Sequence, residues 1–166
     1  MKKLLFILCI LSVTATLFSA CSALKAPVVI QHSSLKNYKY AYITPTTELT
    51  SSTGGAYGSA YGIYGSTMTK TVNPSDVIAG ELIKQGFIVV PEIKDEHVDQ
   101  TIIVNYGESG RRNRGLGYTI EVTMQMISAK SHDVISVCTA EGQGSTEADD
   151  IRQAIRRALD ALFKKD

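Results

Sequence analysis

Hydrophobic and polar positions along this chain follow three rhythms, and each predicts a different kind of segment. Leu4 to Leu17 is an apolar run interrupted only by Ser12, Thr14 and Thr16. Period-two alternation appears in Tyr38 to Thr46, where Tyr38, Tyr40 and Tyr42 fall on one side and Ala41 and Ile43 on the other, predicting the first main strand. It is clearest in Tyr118 to Ile127, where Tyr118, Ile120, Val122, Met124 and Met126 alternate with Thr119, Glu121, Thr123 and Gln125. That pattern predicts a strand with one face buried and one wet. Val134 to Glu141 follows a polar turn at residues 129–133 and is expected to return as its antiparallel partner. Shorter apolar stretches predict a minor edge strand at Val28-Val29-Ile30 and strands at Phe87 to Pro91 and Gln100 to Tyr106.

Helical spacing marks two other segments. Asn73-Pro74-Ser75-Asp76 reads as an N-cap, a proline at the first helical position and an acid near the positive end of the dipole. The helix it opens runs to about Gln85, with Val77, Ile78, Leu82 and Ile83 on its apolar side and Gly86 as its stop. Thr146 and Asp149 resemble a capping box for a final helix whose Ile151, Ile155, Ala158, Leu159 and Leu162 recur on one face. The order of elements predicts an α+β fold: a mixed, mainly antiparallel sheet of about five strands with two helices packed on one face. A right-handed crossover through the first helix allows the strands before and after it to be parallel.

The opening apolar run changes the reading of the whole chain. Met1-Lys2-Lys3 supplies a basic start, the run is shorter than a spanning helix needs, and small residues close it. This is the pattern of a cleaved secretory signal over residues 1–20. Leu17-Phe18-Ser19-Ala20-Cys21 resembles the bacterial lipobox, although Phe18 departs from the usual leucine. The resemblance implies that Cys21 is diacylated and becomes the N-terminus, which anchors the protein strongly. The alternative is an ordinary signal that leaves Cys21 as a plain thiol. Residues 21–37, broken by Pro27, Ser33, Ser34 and Asn37, are expected to be the lipidated N-terminus and a tether, with a single domain over 38–166. By resemblance to other lipoproteins, the lack of an Asp or acidic cluster after Cys21 implies an outer-membrane anchor facing the periplasm.

Processing also changes the charge. Lys2 and Lys3 leave with the signal, so the 17 basic residues fall to 15, one short of the 16 acidic ones, and no nucleic-acid footprint remains. Cys9 leaves and Cys21 is consumed, so Cys138 is the one free thiol of the mature chain and no internal disulfide is expected.

Candidate chemistry is thin. His32, His97 and His132 are scattered, Glu96-His97-x-Asp99 reads as a solvated loop before it reads as a metal site, and Cys138 reads as a small core residue. Neither a catalytic constellation nor a cofactor is expected. Two segments stand out instead. Residues 50–72 form a Gly/Tyr-rich stretch in which Tyr57, Tyr61 and Tyr64 are spaced by glycines, either a long loop or a hairpin with cross-strand aromatics. Such tyrosines suit partner recognition, giving contact area at low entropic cost. Gly107 to Gly115 carries Arg111, Arg112 and Arg114 at the junction of two strands, either as a solvated tip or as a contact for phosphate or carboxylate.

The segments TKTVNPSDVIAGELIKQGFIVVPE, QTIIVNYGESGRRN and ADDIRQAIRRALDALF, together with the lipobox, resemble a family of small uncharacterised envelope lipoproteins of gut Bacteroidetes. Their element order is similar to that of periplasmic lipoproteins serving as cofactors of cell-wall synthases or secretion systems. The resemblance implies a non-catalytic binding or assembly module for a protein or an envelope polymer, using Tyr57, Tyr61, Tyr64 and the three arginines. A carrier of a small ligand or lipid, using an apolar groove between sheet and helices, is the alternative.

Overall fold

The computed structural model describes residues 23–45, 49–59, 62–114 and 117–165, with the backbone alone for 49–59 and 62–71. The signal, Cys21 and Tyr61 lie outside the described residues, as do the side chains of Tyr57 and Tyr64.

The described residues form β1 (Val28–Gln31), β2 (Tyr40–Ile43), β3 (Leu49–Ser59), β4 (Gly62–Val72), α1 (Pro74–Lys84), β5 (Ile88–Val90), β6 (Thr101–Arg114), β7 (Gly117–Ser128), β8 (Val134–Gly142) and α2 (Glu147–Lys165). Six strands make one mixed sheet in the order β1-β8-β7-β6-β2-β5, and β3 pairs with β4 as a separate two-stranded ribbon. Strand β2 is parallel to both β5 and β6, as the crossover through α1 allows, and the remaining pairs are antiparallel.

Periodicity explains the core. Ile120, Val122, Met124 and Met126 of β7 are buried toward the helices, beside Ile102 and Val104 of β6 and Cys138 and Ala140 of β8. Ile151, Ile155, Ala158, Leu159 and Leu162 of α2 join them, and Ile78 and Leu82 of α1 complete the cluster. Each fully buried Ile, Leu or Met contributes about 1.5 to 3 kcal/mol, which is what holds both helices to a single face. The opposite face carries Tyr42, Asn105, Thr123, Gln125 and Thr139, all partly or fully exposed.

The helix ends obey their capping residues. The Asn73 side chain accepts from the Ser75 N–H at 3.1 Å, and Gly86 takes the left-handed conformation (φ +92°) that follows α1. Ile83, expected on the apolar side of α1, is 58% exposed, because the stripe that meets the core is only wide enough for Ile78 and Leu82. At the start of α2, Thr146 Oγ1 accepts from the Asp149 N–H at 3.2 Å and also donates to the Asp149 carboxylate.

Three details differ from the sequence reading. The sheet has six strands, one more than the approximate count. The segment read as a tether supplies the expected edge strand, β1, outermost beside β8, but is also built further into the fold, since Leu35 in the short turn Leu35–Asn37 is buried. Residues 107–114, read as a junction, continue β6 without interruption, and a bulge between Glu108 and Gly110 absorbs the irregular stretch. The Gly/Tyr-rich segment forms the ribbon, whose register sets Tyr57 directly opposite Tyr64.

Candidate functional site

Strand direction gathers the segments that the sequence singled out at one end of the molecule. Because β2 and β6 are parallel, the ribbon follows the carboxyl end of β2 on the same side toward which β6 carries Arg111, Arg112 and Arg114. The chain upstream of β1, being antiparallel to β8, leaves toward that side as well, and α2 begins there.

The centre of this end is Glu141, the penultimate residue of β8, which is only 2% exposed. Arg112 grips it with a two-pronged contact, Nε to Oε1 at 2.9 Å and Nη2 to Oε2 at 2.7 Å. The Lys25 backbone N–H donates to Oε2 at 2.9 Å, and Lys25 Nζ lies 3.5 Å from Oε1. The Arg112 fork above all, then the Lys25 N–H and charge, hold the Glu141 carboxyl down at about 2 against the effect of its burial. A charged knot therefore pins the N-terminal segment to the sheet.

Helix α2 ties the same segment from its own side. Arg157 donates to the backbone carbonyls of Glu141 and of Lys25, the latter at 2.8 Å. Lys165 donates to the Val29 carbonyl at 3.0 Å. Since β1 is an edge strand, a lysine on one of its carbonyls blunts that edge against further strand pairing.

All three arginines of β6 are engaged within the chain. Adjacent strand residues point to opposite faces, so Arg111 and Arg112 serve different sides of the sheet. Arg111 bridges Glu108 (Nε to Oε1, 2.5 Å) and Glu147 at the start of α2 (Nη2 to Oε1, 2.5 Å), and its guanidinium lies 5.3 Å from the centre of the Tyr118 ring. These carboxylates raise the Arg111 pKa, and Arg111 lowers that of Glu108. Arg114 donates to the Gln143 side-chain oxygen. Sequence reading did not nominate Glu141, Glu147 or Lys25; the one available signal was a carboxylate at the end of the strand VISVCTAEG.

The histidines stay apart. His97 stacks on Tyr40 with ring centres 4.3 Å apart, and the two line a shallow cleft of about 230 Å³ with Val90, Glu92 and Thr101. His132 is in the β7–β8 turn and His32 follows β1. Among the described residues, no group of three or more His, Cys, Asp or Glu side chains could hold a metal ion. Cys138 is fully buried, and burial pushes its thiol up to about 12. Between sheet and helices, where the carrier alternative places its groove, the core residues Ile78, Leu82, Ile102, Met124, Ile155 and Leu159 fill the space. No helix among the described residues is long and apolar enough to cross a membrane.

No protein-family model matches this sequence, and neither does any curated protein. Among solved structures the chain is similar to a PelC dodecamer from Paraburkholderia phytofirmans, at 16% identity and a TM-score of 0.45, over 80% of this chain and 94% of that one.

Proposed function

We propose that this protein is an envelope lipoprotein, anchored through Cys21 to the outer membrane on its periplasmic side, and that it acts as a non-catalytic binding or assembly module for a protein or an envelope polymer. The observation that carries this reading is the ribbon. Its two strands of 11 residues each pair only with one another among the described residues, and they meet the rest of the fold at α2. An isolated two-stranded ribbon is marginal in water, so one of this length is best accounted for by a partner that covers it. Tyr57 pairs with Tyr64 in its register, and Tyr57, Tyr61 and Tyr64, spaced by glycines in the sequence, are residues of the kind that give a partner contact area at low entropic cost. Arg111, Arg112 and Arg114 enter this reading differently: their internal partners make them first a scaffold for that end of the sheet.

The test is a crosslinking pull-down of the intact lipoprotein from membranes, comparing the natural chain with a deletion of residues 53–66. A protein or polymer captured only with the ribbon present is the expected result. Identical capture from both forms, or none from either, would refute the role of the ribbon.

A further inference from the structure

Resting on the lipid anchor just proposed, we infer that the end of the sheet formed by the β6–β7 hairpin seats on the phospholipid headgroup layer, so that the domain stands on the membrane instead of hanging from a leash. Reach decides this. Cys21 lies four residues before Lys25, whose N–H and carbonyl are held by Glu141 and Arg157. Four residues span at most about 14 Å, so an acylated Cys21 stays within that distance of the sheet.

The hairpin reaches the same level. Extending the β1–β8 register places Lys25 beside Gly142, which pairs with Ile120, which in turn pairs with Arg111. From there the hairpin runs on to the Arg114–Gly117 pair, a further three residues or about 10 Å. The opposite end of β7, at Ser128, is about 27 Å away from Ile120 in the other direction. A fully extended link would bring the acyl chains only slightly past the Arg114–Gly117 pair, while the far end of the sheet stays beyond their reach.

The side chains at this end suit a surface of phosphates. Its carboxylates are paired or buried: Glu108 and Glu147 meet Arg111, Glu141 meets Arg112 and Lys25, Glu121 lies 4.0 Å from Lys25, Asp149 meets Arg152, and Asp150, 5% exposed, accepts from the Gly144 N–H. Arg114 adds a cation, and Tyr118, 36% exposed beside Arg111, is the kind of ring enriched where membrane meets water. Unmatched carboxylates here would repel anionic headgroups.

The experiment uses the full-length lipoprotein in phosphatidylethanolamine and phosphatidylglycerol vesicles that carry a headgroup spin label. An environment-sensitive fluorophore is attached at Asn113→Cys or, at the far turn, Lys130→Cys; the buried Cys138 stays silent. Quenching several-fold stronger at 113 than at 130 is expected. Equal quenching, or stronger quenching at 130, would overturn the orientation. The mass of the N-terminal peptide is read on the same sample. Acyl chains present without preferential quenching would sink the orientation and leave the anchor standing, whereas an unacylated N-terminus would sink both.

Discussion

Replacing Glu141 with Gln removes the charge at the centre of the N-terminal knot while keeping its shape. In the folded protein the Glu141 carboxyl titrates near 2, against 4.5 for an unperturbed one, chiefly because of Arg112. At 1.36 kcal/mol per pKa unit, that difference corresponds to at most about 3 kcal/mol of stability at neutral pH. Arg112 is one-third exposed and reaches water, so screening reduces the expected loss to about 2 kcal/mol. The sign follows from the direction of the shift. A depressed carboxylate pKa stabilises the fold above about pH 4.5, and that contribution disappears as the pH falls toward 2. The assay is urea denaturation of Cys21→Ser protein with and without Glu141→Gln, at pH 7 and pH 3. For a chain of this size the pH 7 loss corresponds to roughly 4 to 8 °C in Tm. The gap between the two forms should be clearly smaller at pH 3 than at pH 7, and closes only as the pH approaches 2. A variant as stable as its parent at pH 7, or a gap of equal size at both pH values, would refute the reasoning.

Two further outcomes test the packing of the same region and of the core. Gly142 sits where β8 passes against α2, and a Cβ there would fall inside the Asp150 carbonyl oxygen and only 2.7 Å from the Ala154 backbone nitrogen; Gly142→Ala should cost about 3 kcal/mol or more, seen as a lowered urea midpoint or loss of soluble protein. Cys138, fully buried with its thiol pushed up to about 12, should resist Ellman's reagent at pH 8 in native buffer and react completely in urea; comparable rates in both would show that the core is open.

Local signals were enough to read the elements whose stability is local. The alternation of Tyr118 to Ile127, the Asn73 cap and the apolar stripe of α2 each lie within one segment, and each appears where expected. The second half of β6 was not legible, since Gly107, Glu108, Ser109 and Gly110 carry turn-like composition and only pairing with β7 makes them strand. Val28 to Ile30 was too short a patch to announce its importance, because what fixes it comes from β8 and from Arg157 and Lys165. The arginine cluster stood out in the sequence, but its meaning did not. Glu141 and Gln143 lie 29 residues from their arginine partners and Glu147 lies 36 away, and no spacing rule links them.

The pinning of β1 also imposes an order on folding. Its strand partner is β8, and its side-chain clamps on Lys25 and Val29 come from residues 132 and 136 positions later in the chain. Contacts so distant in sequence close late, after the loop entropy of nearly the whole chain has been overcome. The first strand of the fold is therefore among the last to be locked, and residues 23–33 stay unpinned until the final helix arrives. Completion of α2 then acts as the step that converts a free N-terminal strand into a fixed one.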